Sequence, residues 1–259
     1  MSVRNSRLRV HATALLAALL LVTALPARTE TVASDPEAVE IADEVMKALG
    51  GRKRWEKTGG LRWTYEVAVN DTLRLVRRHA WDRASGWYRV EGADPLTGRP
   101  WLLVKRLGTD EGRAWMNDVP VEGDSVQSLL RRAQSLWSND GYWLLMPYRL
   151  RDDGVTLRHE GRVGERGRVF DKMTVTFDGL GERPLDRFSI LVDRRTHRVD
   201  RWTRTLPGDP PPPVEWTVGG WERHGGFWFA TTHRNGNRTV YTRSIQVTGP
   251  IPVSAFQAP

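Results

Sequence analysis

The sequence predicts a mainly β protein: a curved, incomplete antiparallel barrel of about a dozen strands, with two or three amphipathic helices as lid or plug. Three observations carry that expectation. Most of the 259 residues fall into short segments where apolar and polar side chains alternate, each bounded by Gly, Pro, Asp or Asn. Only two stretches show clear helical spacing, which excludes a doubly wound α/β fold. The strands follow one another through tight turns, as antiparallel neighbours do, and a sheet that wide curls rather than staying flat.

The chain begins with Arg4, Arg7 and Arg9 ahead of an apolar run from Ala12 to Leu25, with small residues at Ala24 and Ala27. This is the order of a secretory signal peptide, expected to end after Ala27 or after Ala33, with an uncleaved anchor as the alternative. Residues 28–259 are then expected to form one β domain, exported to the periplasm or secreted. With no cysteine there are no disulfides and no lipid-modified cysteine to tether the exported chain. Loss of residues 1–27 removes three arginines and no acid, taking the formal charge from +8 to +5. That excess suits contact with an anionic membrane surface or simple solubility. The arginines are scattered, which argues against nucleic acid as a partner.

Asp35 and Pro36 read as the cap and first residue of a helix whose apolar face is Ala38, Ile41, Ala42, Val45, Met46 and Leu49. Gly50 and Gly51 close it, and Trp55 belongs to a further turn. Leu61, Trp63, Tyr65, Val67 and Val69 open the strands, and Asn70-Asp71 turns the chain. The next strands are expected at 72–82, 87–91, 101–106 and 113–117. The second helix is expected from Asp124 or Ser125, with Val126, Leu129, Leu130, Ala133, Leu136 and Trp137 on one face. Asn139, Asp140 and Gly141 should end it, leaving an unbroken apolar run from Tyr142 to Met146 before Pro147. This run reads either as a plug in the sheet or as a lid over an apolar cavity. Further strands are expected at 156–160, 169–177, 187–193, 198–205, 214–221, 227–234 and 239–247. Asp193 should accept backbone N–H bonds in the turn that follows it. PGDPPPP at 207–213 reads as a stiff loop between strands.

Nothing in the chain reads as catalytic. There is no G-x-S-x-G, phosphate loop or H-E-x-x-H, and Gly123-Asp124-Ser125 is better read as a helix start than a hydrolase block. His79, His159, His197, His224 and His233 lack the spacing of metal ligands, so neither metal nor cofactor is expected. Arg162, Arg166 and Arg168 among glycines, and Asp152-Asp153-Gly154, read as solvated hairpin ends. Asn70 and Asn237 each begin a glycosylation sequon.

Four quoted segments together resemble the periplasmic outer-membrane lipoprotein-sorting carriers and their relatives, the LolA/LolB-like half-barrels. They are the first helix with its Gly50-Gly51 end, ILVDRRTHRV at 190–199, GGFWFA at 225–230, and the central helix with WLLMPYRL at 143–150. The resemblance implies a helix-lidded half-barrel whose hollow binds acyl chains of lipids or lipoproteins; a monomer without enzymatic activity is expected. This chain is longer than the sorting carrier proper, carries the proline loop, and has 12 tryptophans. The expected ligand-lining residues are Trp63 and Tyr65 in the first strand, then Trp87, Trp101 and Trp115 in those that follow. Leu129 and Leu136 join them from the helix, Trp143, Leu145 and Met146 from the apolar run, and Trp202, Trp216 and Trp228 from the late strands. The same tryptophans support a different class, a carbohydrate-binding module, but that class leaves the two amphipathic helices without a role.

Overall fold

The computed structural model describes residues 33–177, 187–205 and 212–257. The expected leader, and residues 207–211 of the proline loop, lie outside them. The chain opens with α1 (Pro36–Ala48) and the short α2 (Arg52–Glu56), followed by strands β1 (Gly60–Val69), β2 (Thr72–Asp82), β3 (Trp87–Ala93), β4 (Pro100–Arg106), β5 (Gly112–Met116) and β6 (Val119–Pro120). Helix α3 (Ser125–Leu145) comes next, continued by a 3-10 turn over Met146–Tyr148. Then follow β7 (Val155–Glu165), β8 (Arg168–Phe177), β9 (Arg187–Asp193), β10 (Arg198–Thr205), β11 (Val214–His224), β12 (Phe227–Asn235) and β13 (Arg238–Thr248). A short 3-10 helix over Val253–Phe256 ends the described chain.

All thirteen described strands form one antiparallel sheet in the order β6-β5-β4-β3-β2-β1-β13-β12-β11-β10-β9-β8-β7. The sheet is curved and does not close, because β6 and β7 remain its two edges. Its path explains the fold. The chain starts in the middle at β1, steps outward to the edge at β6, then re-enters at the opposite edge, β7, and steps inward until β13 pairs with β1. Helix α3 is the connection between the two edges. Its 21 residues give a rod of about 30 Å, and it lies across the hollow against β3, β4 and β5 on one side and β12 and β13 on the other.

The turns are those the sequence predicts. Asn70 and Asp71 take left-handed backbone (φ 48° and 57°), and Asn117 and Asp118 repeat the pattern. Asp193 accepts from the N–H groups of Arg195 and Thr196 at 2.9 and 2.8 Å. The two-residue β6, too short to show alternation, is an addition to the expected strands. Gly50 has φ 129°, and a Cβ there would stand 2.7 Å from the Phe227 ring and 2.9 Å from the Gly226 carbonyl, so the α1 exit needs glycine.

Three expectations are corrected. Asp35 holds the N-cap position of α1 but makes no side-chain cap bond. Its carboxylate instead pairs with Arg158 and accepts from the His159 N–H, while its own N–H donates to the Leu157 carbonyl at 2.9 Å. The start of α1 therefore covers part of the open edge of β7. Asp124 likewise caps α3 by position, without a side-chain bond. Finally, Asn139, Asp140 and Gly141 do not end α3. The Asp140 carboxylate is engaged by Arg77, so it does not compete for local backbone N–H groups. Gly141 lies buried beside the Trp137 ring, where burial outweighs its low helix propensity of about 1 kcal/mol.

Apolar side chains pack on both faces of the first arm. The inner face joins α1, α3 and both arms in one core. On the outer face Ala80, Leu102, Val104 and Trp115 are covered by Ile251 and Phe256 from the C-terminal segment. That segment is pinned by Asp82, which accepts from the Ile251 N–H at 2.9 Å.

Candidate functional site

The hollow is walled by the inward residues of both arms and filled by α3. Leu130, Ala133, Leu136, Trp137, Leu144 and Leu145 are buried along the helix at the spacing its sequence gives, so the apolar stripe seats on the sheet. The two arms hold the helix by different chemistry.

On the first arm Trp137 meets Trp63, Trp81 and Tyr88 at ring distances of 6.1, 4.4 and 5.4 Å. One helical turn on, Asp140 is fully buried, and its Oδ1 and Oδ2 both accept from Arg77 Nη1, at 2.9 and 2.7 Å. His79 Nε2 stands 3.4 Å from the same carboxylate, and its Nδ1 is 2.7 Å from the Tyr88 hydroxyl. This arrangement suits a neutral imidazole with its proton on Nε2, accepting from the tyrosine at Nδ1. Trp63 lies flat on the imidazole at 4.6 Å and 6°. Burial pushes the His79 pKa down against the pull of Asp140. Burial works to raise the Asp140 carboxyl, but His79 and Arg77 together hold it below its ordinary value. The cluster is a closed ion pair with a hydrogen-bonded histidine, and it ties α3 to β2 and β3.

On the second arm the contacts are aromatic. Tyr142 stacks on Phe188 at 4.4 Å and meets Trp202 edge-on at 5.3 Å. Trp143, half-buried, stands edge-on to Trp202, Trp216 and His233 at 5.0, 4.7 and 5.2 Å. His233 is 4% exposed, and neither of its ring nitrogens has a hydrogen-bond partner. Burial pushes its pKa down to about 4, against the nearby Trp143 backbone, which pulls the other way although its approach does not meet hydrogen-bond geometry.

The thirteen expected lining residues divide. Trp63, Tyr65, Trp101, Leu136, Leu145, Met146, Trp202 and Trp216 are buried in the inner core, with Leu129 and Trp143 partly buried against it. Trp87 and Trp115 face the other way, against Phe256 and its neighbours. Trp228 alternates with the buried Phe227 and Phe229, lies under Arg198 with its ring 4.2 Å from the guanidinium carbon, and is partly buried against the inner core. Trp87 and Trp115 leave the wall of the hollow because alternation is a property of each strand, not of residue type. Asp140, Arg77, His79 and His233, which pack at the seat of α3, are not among the expected lining residues. The signal for Asp140 was present: it continues the apolar stripe three residues after Trp137, and a carboxylate on an apolar face demands a partner.

Two surface depressions accompany the hollow. One of about 490 Å³ lies at the α1–α2 junction beside Asp43, Lys47, Arg52 and Arg54, and one of about 160 Å³ lies between Trp87 and Phe256. Among the described residues no group of three or more His, Asp or Glu side chains gathers as a metal site, and no described helix is long and apolar enough to cross a membrane.

No protein-family model and no curated protein sequence matches the chain. Solved structures do. A LolA superfamily protein from Nitrosomonas europaea superposes with a TM-score of 0.52 over 85% of this chain and 97% of its own, at 10% identity. A DUF1329 family protein from Desulfovibrio piger gives 0.50 over 86% and 98%, at 12% identity. An outer membrane lipoprotein-sorting protein domain from Vibrio parahaemolyticus gives 0.47 over 85% and 96%, also at 12% identity. At such identities the likeness is one of fold, and the fold shared with the LolA superfamily structure is the helix-filled half-barrel that the sequence resemblance implied.

Proposed function

We propose that this chain is an exported, non-enzymatic carrier that binds acyl chains of lipids or lipoproteins in the hollow of its half-barrel, with α3 giving up part of its seat to the ligand. One observation carries the reading: the apolar wall spans both arms, and a single helix joined to the two free edges fills it. In this reading an acyl chain displaces Leu136, Leu144 and Leu145, which are buried in the inner core. Exchange of one apolar occupant for another leaves the burial of the wall nearly unchanged, which is what a reversible carrier requires. The LolA-like fold supports the same reading. The carbohydrate alternative needs exposed aromatic faces, whereas Trp63, Trp101, Trp115, Trp202 and Trp216 are all buried.

The test is uptake. Native mass spectrometry of protein purified from cells is expected to find bound lipid, and the fluorescent probe N-phenyl-1-naphthylamine is expected to brighten on binding and be displaced by lipid. Absence of both, with retention on a polysaccharide column, would move the assignment to the carbohydrate class.

A further inference from the structure

His233 is an expensive residue for its place. It stands on β12 opposite Val218 and Val240, on the inner wall, where a phenylalanine or leucine would fill similar space without desolvating two polar atoms. Its ring meets Trp143 edge-on at 5.2 Å, Trp143 in turn packs on Trp202 and Trp216, and neither imidazole nitrogen has a partner in hydrogen-bond geometry. Buried polar atoms without partners are rare, and one that recognises a ligand is free to lack them in the empty protein. The cover over this histidine is the half-buried Trp143, which belongs to the helix that yields under the reading above.

Resting on that reading, we propose that His233 reads the headgroup in the hollow, and that it selects uncharged acyl esters bearing a hydroxyl, of the monoacylglycerol kind, over ionised fatty acids. A neutral imidazole offers one N–H and one lone pair. A monoacylglycerol matches both, with its ester carbonyl accepting and a glycerol hydroxyl donating. A carboxylate supplies acceptors only, and it brings into an apolar wall of Trp143, Val218 and Val240 a charge that a neutral imidazole does not compensate.

The experiment is displacement of N-phenyl-1-naphthylamine by 1-monooleoylglycerol and by oleate. Wild-type protein should prefer the glyceride by about tenfold, the scale of one well-made buried hydrogen bond. His233→Phe should keep its affinity for the dye and lose the preference, and His233→Gln, which retains a donor and an acceptor, should restore most of it. Thermal melts accompany each variant. His233→Phe is expected to melt at or above the wild type, and a lower melting point would show that the ring has an internal partner and overturn the proposal. An equal response to both lipids in the wild type, or an unchanged preference in His233→Phe, would overturn it too while leaving the carrier reading standing. A wild-type protein that binds neither dye nor lipid would instead sink the carrier reading.

Discussion

The two arms of the sheet grip the same helix in opposite ways. The first arm, β1 to β6, holds α3 through Arg77, His79 and Asp140, a directional contact between partners 63 residues apart in sequence. The second arm, β7 to β13, holds it through Tyr142, Trp143 and their aromatic neighbours, with His233 left unpaired beneath. An acyl chain cannot take the place of one partner in a buried ion pair without stranding the other charge, so the first arm fixes the helix. An aromatic contact is one an acyl chain can replace, so the second arm is where α3 can yield. The difference teaches that anchorage and exchange sit on opposite sides of one hollow.

The largest expected effect tests the anchor. Asp140→Ala leaves Arg77 and His79 facing an empty apolar site, and urea unfolding should show a loss of about 3 to 5 kcal/mol. Replacing Arg77 and Asp140 together by leucine should recover much of it, because the uncompensated charge is gone. A loss under about 1 kcal/mol in Asp140→Ala would mean that the first arm does not anchor the helix at all.

Next comes the response to acid. The folded pKa of His233 is about 4 against an ordinary 6.5, so the group is depressed on folding. The unfolded chain then binds more protons between those values, and the associated stability is complete above pH 6.5 and lost as pH falls to 4. The amount is about 3 kcal/mol. His79, also pushed down by burial, adds a loss of the same sign. Asp140, whose pKa is lowered, gives up its contribution only at pH below the ordinary carboxylate value of 3.8. Urea unfolding across pH 4 to 7 should therefore be steeper for wild type than for His233→Phe, and parallel curves would remove His233 as a source of the acid response.

The smallest effect on stability should come from the yielding side. Trp143 is half-buried, and Trp143→Ala should cost about 1 to 2 kcal/mol. Its main consequence should be faster release of bound probe in stopped flow. A large loss of stability with unchanged release would make Trp143 ordinary core and erase the contrast between the arms.

Much of the fold was legible because it rests on local rules. The alternation in Leu61, Trp63 and Tyr65, the turns at Asn70-Asp71 and Asp193, and the stripe from Leu129 to Trp137 each record a preference settled within a few residues. The site was legible only in part. Trp63 and Trp202 face the hollow while Trp87 and Trp115 do not, and composition cannot distinguish them. Asn139-Asp140-Gly141 looked like a helix end because each residue, taken alone, favours one.

By itself the sequence determined the class of structure, the positions of nearly all strands and the amphipathic character of both long helices. Tertiary structure decided the length of α3, the inward or outward sense of each tryptophan, and which histidine acquired partners. The reason is physical. Turn geometry and period-two or 3.6-residue patterning arise from sterics and hydrogen bonds between near neighbours. The fate of Asp140 or His233 depends on which atoms the closing sheet brings against it from strands far away in the chain, and a buried polar group takes its energy almost wholly from those partners.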